Sequence, residues 1–360
     1  MSDTRIDETI ENIPKSDFSK KISFMLIVLA VIAAGLWYFD HKARNPEKNF
    51  HFFEIMSTIA EVTIYGDAKT ADAAFDKVEE VFKDVQNKCN AFDPESELSR
   101  LNARAFDAPF KCGDTLWELL ILSRDYYRMS DGGFDITVKP LMELWGFHRK
   151  ANKTPSDGEV TETLKLVGLD KVTFDEKEHT VRFNVEGMRF DLGGIAKGFA
   201  VEKAASELRV MGIKAGFINL AGNMYCFPVP PPGKKFYSIG VKNPFKTSEI
   251  CGTVPLLNSS IATSGNYERF VTIDGKRYAH IMNPATGRPV SNSIAVTVVS
   301  PLAMNTDGLS AAVFVKGPEL AKKICERIPA THILIIRYKD DKSTEIEILK
   351  FGSIWGEINL

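Results

Sequence analysis

Apolar and polar positions change period several times along the chain. In FFEIMSTIAEVTIYG (52–66) they alternate, which predicts a first strand. In TADAAFDKVEEVFKDVQNKCNAF (70–92) the apolar residues Ala74, Val78, Val81, Phe82 and Val85 recur at helical spacing. FDPESELSRLNA (92–103) reads as a turn with Ser96 or Asp93 as a helix cap. DTLWELLILSRDYYRMSDGG (114–133) reads as a helix capped by Asp114 and ended by a glycine pair. Short strands joined by acidic turns are expected over 170–192, and a helix over 198–212. KAGFINLAGNMYCF (214–227), FYSIGVKNP (236–244), LLNSSIATSG (256–265), YERFVTIDGKRYAHIMNP (267–284) and SIAVTVVS (293–300) continue the β pattern. TDGLSAAVFVKG (306–317) and PELAKKICERI (318–328) are helical, and VPPPGKK (229–235) is a rigid surface loop. Strands and helices mix without βαβ alternation, so one α+β domain over 48–356 is expected.

The N-terminus has a different pattern. Residues 1–21 are polar and aperiodic and read as disordered. Residues 22–39, ISFMLIVLAVIAAGLWYF, are apolar apart from one serine and just reach the length of a membrane span, with Trp37 and Tyr38 at the far end. No small-x-small cleavage site and no lipid-accepting cysteine follows, so an uncleaved anchor is expected, joined by a linker over 40–47. Lysines and arginines flank both ends, so charge does not set its orientation.

Composition narrows the chemistry. Of 360 residues, 44% are hydrophobic, enough for a sizeable core. A net charge of −2 gives no electrostatic basis for nucleic-acid binding. The five cysteines are scattered, odd in number and without a CxxC pair, which excludes a zinc or disulfide framework. Cys89 and Cys112 could bridge, but free buried thiols are expected.

Four stretches carry candidate chemistry, each with a structural alternative. DLGGIAKGFA (191–200) lacks the lysine placement of a Walker loop, yet offers Asp191, bare backbone at Gly193 and Gly194, and Lys197 at a helix start, where anions bind. Its alternative is a plain strand–turn–helix. In SDGGFDITVKPLMELWGF (130–147), Gly133, Phe134 and Asp135 could hold a ring and its polar edge, or simply end a helix with Phe134 in the core. TSGNYERF and GKRYAHIMNPATGRPV (263–290) supply hydroxyls, arginines and His280, whose alternative is structural. In NTDGLSAAVFVKG (305–317), Asp307 at a helix start could cap the helix or hold a hard cation.

In this order, SELSRLN (96–102), GGFDITVKPLMELWGF (132–147), DLGGIAKGFAVEKA (191–204), INLAGN (218–223), GVKNP (240–244), ATSGNYERF (262–270), HIMNPATGRPV (280–290) and DGLSAAVFVKG (307–317) resemble the ApbE family of FAD:protein FMN transferases. The resemblance implies a single T-fold-type α+β domain with mixed sheets and packed helices behind one transmembrane helix. It implies a Mg2+-dependent transferase that splits the pyrophosphate of its substrate FAD, places FMN on a Ser or Thr of an acceptor protein by a phosphoester bond, and releases AMP. Implied acceptors are subunits of Na+-translocating NADH:quinone reductase or Rnf-type membrane complexes. The implied location is the cytoplasmic (inner) membrane, with the catalytic domain on the periplasmic side. An FAD pyrophosphatase, or a non-catalytic flavin-binding protein tethered to the membrane, would use the same residues.

The resemblance also assigns residues. Met56, Phe92, Gly133, Phe134, Asp135, Asp191, Lys197 and Ile281 match flavin-nucleotide contacts, Met56 from the first strand and Ile281 through its backbone. The Gly194 carbonyl, Asp307 and the position of Ala311 match metal ligands, and His280 matches the residue that handles the acceptor proton, with Asp307 also in the catalytic set. Two residues depart from the family pattern. Phe92 replaces a tyrosine, keeping a ring but losing a hydroxyl. Ala311 replaces a threonine, removing a side-chain oxygen that the Ala311 backbone, the Ser310 hydroxyl or water would have to supply.

Overall fold

The computed structural model describes residues 24–37, 46–147, 153–340 and 343–360, and the chain divides into two compact units, Met1–Glu47 and Lys48–Leu360. In the first unit a helix covers 24–37, and its large side chains from Phe24 to Trp37 are exposed. The expected segment 1–21, both ends of the expected span 22–39 and most of the 40–47 linker lie outside the described residues. Among the described residues, no helix is long and apolar enough to cross a membrane.

In the second unit eight strands form one sheet whose spatial order is the chain order: β1 (Lys48–Ile55), β2 (Thr58–Tyr65), β3 (Gly216–Leu220), β4 (Asn223–Cys226), β5 (Ser259–Gly265), β6 (Ser293–Ser300), β7 (His332–Tyr338) and β8 (Ile346–Phe351). Every neighbouring pair is antiparallel. Mixed sheets were expected. Among the described residues the one parallel pairing is an isolated bridge, Ala215 with Val229. The helices are α1 (Ala68–Cys89), α2 (Glu97–Arg104), α3 (Asp114–Met129), α4 (Lys139–Leu144), α5 (Asp157–Leu164), α6 (Ala196–Val210), α7 (Ala303–Lys316) and α8 (Pro318–Arg327). The first six enter between β2 and β3.

The alternation over 52–66 is broken once. Met56 and Ser57 have φ of 51° and 58°, and Ile55 pairs with Thr58 across a two-residue hairpin turn. Positive φ at both central residues is what the right-handed strand twist demands of so short a turn. Met56 therefore sits in a turn and not in the first strand, and its amide donates to Gln86 Oε1 of α1 at 2.6 Å. Positive φ on two residues with side chains is a strained arrangement that the surroundings must hold.

α1 is the amphipathic helix its sequence predicts. Asp67 accepts from the Thr70 amide at its N-terminus, and Ala71, Ala74, Phe75, Val78, Phe82, Val85 and Cys89 form its buried stripe. Burial of Phe82, which has no exposed surface, stabilises the fold by about 1.5–3 kcal/mol. Of the two caps expected in 92–103, Ser96 is the one used: it accepts from Ser99 N–H at the start of α2. Asp114 is the first residue of α3 and not its cap. Gly113 occupies that place, its amide bound to Glu97 Oε1 at 2.6 Å. Cys89 and Cys112 do not bridge, and all five cysteines are free.

β6 is buried at every position because both faces of the sheet are covered there. Val296 and Val298 pack with the helices in the main core, while Val299 joins the hairpin of Tyr237–Lys242 and Ile250–Leu256 on the opposite face. α6 and α7 are adjacent and buried on nearly every side, so neither shows the one-sided stripe of a surface helix.

Candidate functional site

The 191–200 stretch is a turn feeding α6. The Asp191 amide donates to Ile136 O at 2.7 Å, which sets this turn beside the Gly133–Asp135 segment. Asp191 Oδ1 accepts from Gly193 N–H at 2.7 Å, and Lys197 Nζ donates to Gly193 O at 3.2 Å. Gly193 and Gly194 are exposed, and Ile195 at the cap position supplies no side-chain acceptor. A helix start with bare backbone and an ammonium group beside it favours an anion.

The next turn of α6 crosses α7 at contact distance. A Cβ on Gly198 would lie 2.5 Å from Asp307 Cβ and 2.7 Å from Ala303 O, so only glycine fits. Gly198 N–H donates to Asp307 Oδ2 at 2.8 Å. Phe199 N–H bonds back to Ile195 O in the normal helical way, but the Gly198 amide is diverted, leaving the Gly194 carbonyl without its helical donor. Asp307 was expected at a helix start. The helix begins four residues earlier, at Ala303, because the polar residues before Asp307 are satisfied inside it: Asn305 accepts from Tyr126 Oη at 2.6 Å, and Thr306 Oγ1 donates to Ala303 O at 2.8 Å. Burial, with the nearby carboxylates of Asp307 and Glu202 adding to it, raises the Tyr126 pKa, so its hydroxyl stays protonated.

These residues fit a hard cation of the magnesium kind. Such ions take one or two carboxylates, backbone oxygens and substrate phosphates, and keep several waters. Asp307 supplies the carboxylate and Gly194 an unsatisfied carbonyl. Among the described residues there is no cluster of three His, Cys, Asp or Glu, so a self-contained protein cage is excluded there. Ala311 is half-buried and offers no side-chain oxygen. The Ser310 hydroxyl donates to Asp307 O and pairs with Ser264 Oγ, each at 2.8 Å, so it is already committed.

Gly133, Phe134 and Asp135 lie beside this crossing. A Cβ on Gly133 would strike the Lys316 side chain at 2.5 Å. Phe134 is buried edge-on to Tyr126, and its ring borders Gly194. Asp135 is buried, and its Oδ1 accepts from both the amide and the hydroxyl of Thr137, at 2.8 and 2.6 Å. Burial pushes the Asp135 pKa up to about 6, although the Thr137 bonds pull the other way. A carboxyl raised in this way costs folding free energy as pH rises from about 4 to 6, and the full penalty remains above that window. Asp135→Asn should therefore raise the melting temperature at pH 8, with an upper limit of about 3 kcal/mol, and converge with wild type below pH 4. Thermal melts across pH check this; equal melting temperatures at pH 8 would show that the buried charge carries no cost.

His280 follows the Lys276–Ala279 strand, which hairpins with Phe270–Ile273. Its Nδ1 lies 3.0 Å from Arg269 O. A carbonyl only accepts, so Nδ1 carries the hydrogen and the neutral ring has its lone pair on Nε2. Burial pushes the His280 pKa down to about 4. The Arg269 carbonyl opposes this, the Arg269 and Lys197 charges reinforce it, and Asp191 opposes it, which places His280 within electrostatic reach of the α6 turn. Ile281 packs on the main core, and its carbonyl accepts from Val290 N–H at 2.9 Å.

The remaining predicted contacts stand farther out. Phe92 is 66% exposed, with Lys139 Nζ 5.2 Å above its ring. Met56 is tied to α1 through Gln86. Sequence reading missed Gln86, which holds the Met56 turn, and Lys139, which is buried under Phe92. It also missed Glu202, buried one turn after Gly198. An acid among the closely spaced apolar residues of this mostly buried helix was its only available signal.

The family model of the ApbE family matches residues 56–335, and the chain belongs to that family. The FAD:protein FMN transferase of Haemophilus influenzae is 30% identical over 276 residues, 74% of this chain and 80% of that protein. The FAD:protein FMN transferase of Escherichia coli K12 is 25% identical over 338 residues, 90% and 95% of the two chains. Among solved structures, flavin transferase ApbE from Vibrio cholerae superposes with a TM-score of 0.76 at 24% identity, covering 86% of this chain and 98% of its own. The ApbE protein from Thermotoga maritima gives 0.76 at 28% identity, covering 84% and 96%.

Proposed function

We propose that this chain is a Mg2+-dependent FAD:protein FMN transferase, which splits the pyrophosphate of FAD and attaches FMN to a Ser or Thr of an acceptor protein, releasing AMP. The observation that carries this reading is the diverted Gly198 amide, which sets an unsatisfied Gly194 carbonyl beside the Asp307 carboxylate at a helix start, with Lys197 and His280 close by. Asp307 and Gly194 would hold the cation, and a bound Mg2+ would offset charge on the pyrophosphate and its leaving phosphate.

The chain's own residues do the rest. The Lys197 ammonium and the amides of Gly194 and Lys197 bind the phosphates, since the Gly193, Ile195 and Ala196 amides already have acceptors within the turn. Asp191 fixes that turn. Gly133, Phe134 and Asp135 line the flavin nucleotide, with Met56, Phe92 and Ile281 at its edges. His280 Nε2 takes the proton from the acceptor hydroxyl as that oxygen bonds to the FMN phosphorus and the bond to AMP breaks. A bound Mg2+ would find no side-chain oxygen at Ala311. The Ser310 hydroxyl is committed elsewhere, so water or the Ala311 backbone would have to supply that oxygen.

The exposed apolar helix 24–37 supports a membrane anchor; its seat in the cytoplasmic membrane, with the catalytic domain on the periplasmic side, rests on the family resemblance alone. Acceptors there are subunits of Na+-translocating NADH:quinone reductase or Rnf-type complexes. A second reading, FAD hydrolysis to FMN and AMP, is favoured by Ala311, since weaker phosphate control would admit water as acceptor. Incubation of the chain with FAD and Mg2+, with and without an acceptor domain, separates the two. Acid-stable flavin on the acceptor with AMP in step supports transfer. AMP and free FMN in both tubes supports hydrolysis, and intact FAD across a panel of acceptors overturns both.

A further inference from the structure

Two buried carboxylates exchange amides across the α6–α7 crossing. Asp307, on α7, accepts Gly198 N–H from the first turn of α6. Glu202, one turn further along α6, accepts Ala303 N–H from the first turn of α7, through Oε2 at 2.6 Å. Gly198 and Glu202 are four residues apart, as are Ala303 and Asp307, so the bonds lie one helical turn from each other on both helices. The other oxygen of Glu202, Oε1, accepts from Arg209 Nη2 at 2.6 Å. Arg209 is placed in turn over the Tyr225 ring, 5.3 Å from its centroid. Glu202 is only 5% exposed, and both its oxygens are used.

We propose that Glu202 is the positioning residue of the cation site, fixing the height of α7 along α6 so that Asp307 captures the Gly198 amide and Gly194 keeps its carbonyl free. This rests on the reading of Asp307 and Gly194 as cation ligands. A small slide of α7 would release the Gly198 amide, which would then return to Gly194 O in an ordinary helical bond. The slide would cost the site a carbonyl and the orientation of its carboxylate together. The Gly198 contact leaves no slack to absorb such a slide by side-chain rotation, since backbone meets backbone there.

The test is Mn2+ binding to the full chain in detergent, read from the electron paramagnetic resonance signal of the free ion. Glu202→Gln keeps the size but turns an N–H donor toward either Arg209 or the Ala303 amide. It should weaken Mn2+ binding about 10- to 100-fold, the usual cost of losing the partner that orients a metal ligand. The Mg2+ concentration for half-maximal AMP release should rise in parallel, with the rate recovering at saturating Mg2+. Asp307→Ala should abolish Mn2+ binding. Val85→Ala, a core truncation in α1, should lower the melting temperature without changing Mn2+ affinity. Wild-type affinity in Glu202→Gln alongside lost binding in Asp307→Ala would overturn the positioning role and leave the cation site standing. Equal weakening in Val85→Ala would overturn it too, by showing that general loosening suffices. Wild-type binding in Asp307→Ala would remove the cation site and the inference with it.

Discussion

Asp307→Ala should lower AMP release from FAD by about three orders of magnitude or more at saturating FAD and Mg2+. Two losses act together in this variant. The carboxylate that holds the cation disappears, and a metal's stabilisation of developing phosphate charge is worth several kcal/mol, each 1.4 kcal/mol being tenfold in rate. The Gly198 amide also loses its acceptor and is free to bond Gly194 O, so the second cation ligand is withdrawn. The truncation leaves a small polar cavity at a contact where Gly198 already admits no extra atom, so the helices need not separate. Asp307→Asn separates the two losses. Its Oδ1 can still accept the Gly198 amide, so fold and carbonyl are kept while the charge is lost. It should fall between wild type and Asp307→Ala, with a raised Mg2+ requirement. Chromatographic measurement of AMP over a Mg2+ series reads both effects, and a wild-type rate in Asp307→Ala would remove Asp307 from the site.

The parts of the fold that were legible in the sequence are those where one face is wet. α1 shows its stripe because its outer side is solvent, and the strands over 214–300 show their runs because turns punctuate them. Where both faces are buried, periodicity vanishes. The start of α7 was misplaced for that reason: Asn305, Thr306 and Asp307 look like a polar loop, yet each has a partner inside the protein. The hairpin turn at Met56 and Ser57 was missed because neither residue is the Gly, Asn or Asp that normally marks positive φ. The candidate residues followed from ordered blocks resembling a family, and the structure brings Asp135, Asp191, Gly194, Lys197, His280 and Asp307 into one neighbourhood. The amide exchange between Glu202 and Asp307 was not legible. It joins residues about a hundred positions apart, and nothing local marks it.

His280→Ala should lower kcat about 10²- to 10⁴-fold, the usual range for a general base, while KM for FAD changes little. The reason lies in the ring's tautomer and its pKa. The Arg269 carbonyl holds the hydrogen on Nδ1, so Nε2 offers its lone pair without any rearrangement. In the free enzyme burial pushes the pKa down to about 4, so the base form is fully populated at neutral pH. His280 should give the kcat/KM profile an acid limb with a midpoint near 4, separate from any change that Asp135 causes near pH 6. That acid limb should be absent in His280→Ala. Stability carries the same signature with a defined sign. Because the folded ring resists protonation, the unfolded chain binds more protons between about pH 4 and the ordinary histidine value, and stability falls as pH is lowered through that window. His280→Ala removes that group and should flatten this part of the pH–stability curve. Activity and melting temperature measured on the same pH series distinguish a base from a structural residue. A base lost from Nε2 removes turnover at pH 7, where the ring is neutral and the fold is unaffected, whereas a purely structural ring would change melting temperature and FAD affinity together at every pH.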